Sequence, residues 1–273
     1  MFATNRSASL PAALLSFVEL LYHSTVRAQR RGHGNAVIGM ITSIMQTVVM
    51  VGVFYVMFEF MGLRGMAIRG DFFVYLFSGV FLFFTHIKTL GAVAGAEGPT
   101  SPMMLHAPMT TMIAILSAAL STLYTQFLAL FAIMTFYHLL IAPVEIDRPA
   151  GAFAMIFLAW YSGIAIGMVF LALKPWYPGF TRTTQMLYTR INLIASGKLT
   201  VGNMLPFQIL PLFLWNPLFH IIDQARGYAF VNYFPHHTNI TYPLLVSTVF
   251  LVVGFVGESY TRKHASLSWA AKR

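Results

Sequence analysis

The sequence predicts an all-α polytopic membrane protein, and three observations carry that prediction. Hydrophobic residues make up 58% of the 273 and charged residues only 9%, against roughly 25% charged in an average soluble domain. Apolar windows of about 20 residues, the length a membrane-spanning helix needs, recur along the chain. The basic residues divide unequally between the loops that such spans leave. This balance excludes a soluble globular domain, disorder, collagen-like repeats and a coiled coil, each of which needs more charge or glycine. With no cysteine there is no disulfide framework, thiolate metal site or thiol nucleophile. A net charge of +9 would suggest nucleic acid in a soluble domain; here it reports orientation, and no nucleic-acid partner is expected.

Residues 1–34 are expected to form a cytoplasmic tail and an amphipathic helix in the membrane interface. Leu10, Leu14, Phe17, Val18 and Leu21 fall on one helical face, with Ser16, Glu19, His23, Arg27 and Arg30 largely off it. A cleaved signal peptide is disfavoured, because Glu19 interrupts the apolar run and arginines stand where a small-residue cleavage site should lie. The competing reading is a soluble helix packed on another subunit.

Residues 35–273 are expected to form one transmembrane domain of six helices. Spanning windows lie near 36–61, 72–94, 110–141 and 150–173, with a shorter one at 243–258. The stretch 185–205 is interrupted by Arg190 and Lys198 and counts as a span because of the loop charges. With six spans, Arg6, Arg27, Arg30, Arg31, Lys88, Lys174, Arg182, Arg190, Arg262, Lys263, Lys272 and Arg273 fall on the side of the termini. Only Arg64, Arg69, Arg148 and Arg226 fall opposite. Twelve against four puts both termini, including the tail 259–273, in the cytoplasm. Dropping the sixth span would place the basic tail outside.

Pro99, Pro102 and Pro108 break the cytoplasmic loop after the second span, where Met103, Met104 and Leu105 form a short apolar core between Glu97 and His106. A short surface helix fits, with methionines suited to an adaptable protein contact or to covering the end of the bundle. The external segment 206–242 is too apolar for a solvated loop, yet prolines at 206, 211, 217, 235 and 243 forbid one continuous span. Asn216 followed by Pro217 reads as a helix start. The helix after it would carry His220, Asp223, Arg226 or Gly227, and Phe230 along one face. Short re-entrant helices in the outer leaflet are expected, with Asp223 and Arg226 able to pair at a spacing of three.

Chemical motifs are few. Ser196-Gly197-Lys198-Leu199-Thr200 fails as a phosphate-binding loop: Asn192 stands at the first glycine position and Leu199 follows the lysine. Nucleophile-elbow, zincin and paired-carboxylate motifs are absent, and adjacent His236 and His237 point apart. Acidic residues cluster near span ends and in loops, so ion coupling loses support. Lys198, at membrane depth, should face a polar cavity or a partner, since lipid exposure costs about 2.5 kcal/mol or more at a helix centre; snorkelling to the outer interface is the alternative. Tyr161, Tyr188 and Trp215 are candidates for stacking on sugar rings. Gly163 and Gly167 make a small-x-x-x-small face that suits either two copies or two helices of one copy.

The layout resembles the permease subunit of ABC-2 type exporters of capsular polysaccharide or O-antigen, over essentially the full chain. Asn216-Pro217-Leu218-Phe219-His220-Ile221-Ile222-Asp223-Gln224-Ala225-Arg226 is similar to the family's N-P-L-x-H-x-I-[ED]-x-x-R segment after the fifth span. Arg190 through Ser196-Gly197 is similar to that span's arginine and serine-glycine pair, while Lys198 and Thr200 depart from the apolar run that commonly follows. The resemblance implies a non-enzymatic permease that pairs with a second copy of itself. It also implies two separate ATPase subunits that bind ATP and Mg, with no cofactor in this chain. Segment 95–107 would be the coupling helix, 206–242 the outer lip of the channel, and Tyr161, Tyr188, Arg190, Lys198, Trp215, His220, Asp223 and Arg226 candidates for the substrate path. A lipid-linked or growing glycan would move outward through the bacterial inner membrane, possible further partners being periplasmic export proteins. Two other classes stay open: an ABC-2 permease exporting a lipid or drug, and an integral-membrane enzyme acting on lipid-linked sugars.

Overall fold

The second to sixth helices each begin at a capping side chain or at a proline in the first helical position, as backbone amides at a helix start need acceptors. The computed structural model describes residues 10–31, 35–62, 68, 70–98 and 110–264. After α1 (Leu10–Arg31), α2 (Ala36–Phe60) starts at Asn35, whose side chain accepts from the Val37 amide. Asp71 caps α3 (Phe72–Ala94) and Thr110 caps α4 (Thr111–Leu140), while α5 (Pro149–Leu173) and α6 (Pro178–Ala195) open on prolines. Two shorter helices, α7 (Leu210–Leu214) and α8 (Pro217–Ala229), precede α9 (Thr241–His264). No strand occurs among the described residues.

Among the described residues five helices, α2, α3, α4, α5 and α9, are long and apolar enough to cross a membrane. The protein is a polytopic helical membrane protein. At its centre α3 and α5 run parallel, because Gly163 packs at His86 and Thr89, and Gly167 at Leu90 and Val93. A methyl group at Gly163 would come within 2.6 Å of the His86 carbonyl oxygen. This small-residue face therefore joins two helices of one copy. Close backbone approach is the expected glue, since lipid tails offer apolar side chains nothing less favourable than one another. Parallel to α5 runs α9, with Gly254 on Met168, Gly257 near Ala172, and Tyr161 bonded to Thr248 at 3.1 Å. The chain between them must therefore return from one end of the bundle to the other, and α6 makes most of that return.

For the stretch 185–205 the helix starts seven residues earlier than expected and stops at Ala195. The polar turn Thr181–Gln185 hides its start from a hydropathy window. Gly197, at φ +67°, ends the helical path. On α2 only Ser43, Thr47 and Val51 are buried, a single seam at spacing four, so most of its apolar surface is left uncovered. Helix α1 packs along the first half of α4, where Gln29 bonds Ser121 and Thr125; Ser24 is buried and Leu20 and Leu21 half-buried, while Leu15, Val18 and Tyr22 form an exposed apolar stripe. The side chains of Leu10, Leu14 and Arg30 lie outside the described residues, as do all of 99–109 and 265–273, hence Met103, Met104, Leu105 and His106. Glu97, half-buried, follows the end of α3.

Candidate functional site

At the end of the bundle where α3 and α5 begin, α8 is buried on nearly every side. Asn216 does three things at once: its Oδ1 accepts from the Leu218 amide at 3.0 Å, and its Nδ2 donates to Asn192 Oδ1 at 2.9 Å and to the Ala195 carbonyl at 2.8 Å. The cap that starts α8 thereby fastens it to the end of α6. Arg226, fully buried, reaches the turn that follows α6, donating to the carbonyls of Gly197 (2.9 Å), Thr200 (2.5 Å) and Lys198. Its guanidinium carbon lies 4.2 Å from the Tyr75 ring centroid, and the Tyr75 hydroxyl donates to the Leu199 carbonyl at 2.8 Å. Gly79 of α3 leaves the room for this turn: a Cβ there would meet the Lys198 backbone and come within 2.6 Å of Arg226.

Asp223 has a different set of partners. Oδ1 accepts from the Gly202 amide at 3.0 Å and the Tyr233 hydroxyl at 2.5 Å, and Oδ2 accepts from the Thr238 hydroxyl at 2.8 Å. The expected pair with Arg226 is not formed, because i, i+3 spacing permits it but the two side chains leave α8 toward different loops. Burial and the adjacent Asp223 carboxylate push the Tyr233 phenol well above its usual range. His220 accepts from the Asn239 amide at Nδ1 (3.2 Å), so its Nε2 carries the proton and donates to the Leu214 carbonyl at 2.9 Å. Burial lowers its pKa.

Lys198 faces neither a cavity nor the interface. It is 1% exposed, donates to the Leu193 carbonyl at 2.6 Å and lies over Phe83 and Phe54, 4.4 and 5.4 Å from their centroids. The free carbonyl near the end of α6 gives the ammonium its partner inside the chain. Lys198, His220, Asp223 and Arg226 are thus brought together as one buried framework. The remaining candidates lie apart from it. Trp215 is 82% exposed, Arg190 is exposed on α6, and half-buried Tyr161 bridges to Thr248 of α9.

Tyr188 belongs to a second cluster that sequence reasoning missed. Its hydroxyl lies 2.9 Å from Nε2 of fully buried His86, whose Nδ1 lies 2.8 Å from the Ser162 hydroxyl. Ser162 already donates to the Ala159 carbonyl, so Nδ1 is the donor to it and Nε2 accepts from Tyr188. Helices α3, α5 and α6 are joined by this chain. A lone histidine in the apolar window 72–94 was the available signal.

Around these two attachments α6 is thinly covered. Only Thr181 and Asn192 are buried; Arg182, Thr183, Met186, Leu187, Arg190, Ile191, Leu193 and Ile194 are exposed. The helix is about 27 Å long and its middle lies against the middle of α3. Comparison with protein-family models and with curated proteins found no match.

Proposed function

We propose that this chain is the transmembrane subunit of an ATP-driven exporter of the ABC-2 type, moving a capsular or O-antigen-type polysaccharide, lipid-linked, across the bacterial inner membrane. The observation that carries the reading is α6: a helix alongside the apolar bundle with arginines and threonines on surface that its own chain leaves uncovered. Such side chains are costly against lipid and call for a water-filled path or a second polar wall. In this reading α6 brings the spans to six, standing fifth in chain order, and two copies face each other across it. Tyr188 and Arg190 stand at the path, and Trp215 lies at its outer mouth. The buried framework of α8 holds the turn after α6 rather than touching the glycan, and α7 and α8 form a re-entrant outer lip.

Energy comes from two separate ATPase subunits that bind ATP and Mg, seated on 95–107, since the chain carries no phosphate-binding loop of its own. Both termini are cytoplasmic. Lys88 lies within α3, Arg182 and Arg190 lie within α6, and Arg226 is buried; setting these four aside leaves the loop-charge asymmetry intact.

Single cysteines, introduced into a chain that has none, test both parts. Cysteines replacing Glu145 or His236 should react with an impermeant maleimide from outside the cell and one replacing Lys263 only after lysis; the reverse pattern refutes the orientation. Cysteines at Thr184, Arg190 and Ile194 should react in idle transporters and be protected when export is stalled with polymer in place. Unchanged reactivity in the stalled state refutes α6 as the path.

A further inference from the structure

At the other end of the bundle, enclosed by α1, α2, α3 and α4, lies a partly open cavity of about 170 Å³. That is more than ten times the roughly 10–15 Å³ needed for one water. Apart from Ala28 and Gly39 its lining residues carry polar side chains, and Lys88 is the one charge among the described residues that line it. The ammonium places two of its three donors on Ser43, at 2.5 Å to Oγ and 3.4 Å to the carbonyl, over the Phe84 ring. One donor remains for a ligand. Gln126, also on the lining, is 1% exposed, and its Oε1 has no hydrogen-bond partner among the described residues. An orphaned buried acceptor costs about 1–3 kcal/mol. By contrast Gln29 is held from both sides, accepting from Ser121 at 2.6 Å and donating to Thr125 at 2.8 Å, which fixes α1 as the wall.

We infer that this cavity binds the headgroup of an anionic glycerophospholipid bearing a free hydroxyl, with the phosphate on Lys88 and the hydroxyl donating to Gln126 Oε1. The chemistry is complementary on each point. A lone cation with a spare donor selects a phosphate, and basic pockets between membrane helices are where lipid headgroups bind. The described lining residues include no carboxylate to meet a choline or ethanolamine group, whereas a glycerol hydroxyl supplies the donor that Gln126 lacks. Lys88 lies six residues before the end of α3, about 9 Å along the axis, within reach of the headgroup layer for a lysine stem. The inference rests on the membrane-spanning fold and not on the exporter reading.

Native mass spectrometry of the delipidated full-length protein, titrated with short-chain phosphatidylglycerol, phosphatidylcholine or phosphatidic acid, tests it. One site should prefer phosphatidylglycerol over phosphatidylcholine, and Lys88→Gln should weaken it about tenfold while Lys88→Arg retains it. Gln126→Leu should leave phosphatidic acid binding unchanged and abolish the preference for phosphatidylglycerol over it. Equal binding of phosphatidylglycerol and phosphatidylcholine, or undiminished phosphatidylglycerol binding by Lys88→Gln of unchanged helix content, would overturn the inference. So would displacement of the lipid by inorganic phosphate at matched concentration, which would make free phosphate the ligand. If Lys88→Gln does not fold, Lys88→Met supplies the loss of the cation, and Gln126→Leu still tests the hydroxyl contact by itself.

Discussion

Asp223 and Arg226 stand three residues apart on α8 and are both buried, yet form no ion pair: the carboxylate closes on Gly202, Tyr233 and Thr238, and the guanidinium on the carbonyls of Gly197, Lys198 and Thr200. Removing either leaves a different set of groups unpartnered. Arg226→Ala and Asp223→Ala are each expected to cost about 3 kcal/mol or more. The double variant should be no better than the worse single one, with a favourable coupling below about 1 kcal/mol. Unfolding in mixed micelles measures this. Rescue in the double variant would show a pair that this geometry lacks.

Glycine at 163 and 167 sets the distance between α3 and α5. Gly167→Ala places a methyl 2.8 Å from Val93 Cβ and 2.9 Å from the Leu90 carbonyl, so the helices must part. A loss of about 1–3 kcal/mol is expected for each Gly→Ala change, with the self-association constant unaltered. Thermal unfolding reports the first, and fluorescence energy transfer between labelled copies the second. A selective loss of self-association would place this face between copies instead.

The Tyr188 hydroxyl is one of few attachments holding α6 to α3 and α5. Tyr188→Phe keeps the ring against Phe170 but leaves His86 Nε2 without its donor, a loss of about 1–3 kcal/mol. The expected sign of a loosened α6 is a broader distribution of spin-label distances between α6 and α9. His86→Phe should broaden it similarly, and Ser162→Ala less, since it removes only the far link.

Acid should destabilise the segment around α8 through His220. Its folded pKa is lowered by burial from an ordinary value of about 6.5, so between the two values the unfolded chain binds more protons. Stability is then present above pH ~6.5 and falls as the pH drops toward the folded value. Protonation would also remove the Nδ1 acceptor from the Asn239 amide. Unfolding midpoints measured at descending pH should decline more steeply in the wild type than in His220→Asn. Equal slopes would assign the acid loss to other groups.

What the sequence determined by itself was the class of molecule, four of the apolar spans to within a residue, and the start of α8. Composition forbids a water-facing fold, apolar windows report what lipid accepts, and Asn216-Pro217 carries its capping chemistry within three residues. These are local or averaged properties, legible without knowing which segments meet. The tertiary structure alone decided where α6 begins and ends, because an amphipathic helix beside a bundle has no hydropathy signature of a span. It also decided the partners of Arg226, Asp223 and Lys198. Side-chain spacing says which residues share a helix face, but a buried charge goes to whichever carbonyl or hydroxyl the fold delivers. Here the turn at 197–200 is brought to Arg226 from more than twenty residues away by the close fit of Gly79 against Lys198 and of Gly197 against Phe219. Likewise Gly163 and Gly167 announce a close contact in the sequence, but only the packed helices show that the surface opposite is α3 of the same chain.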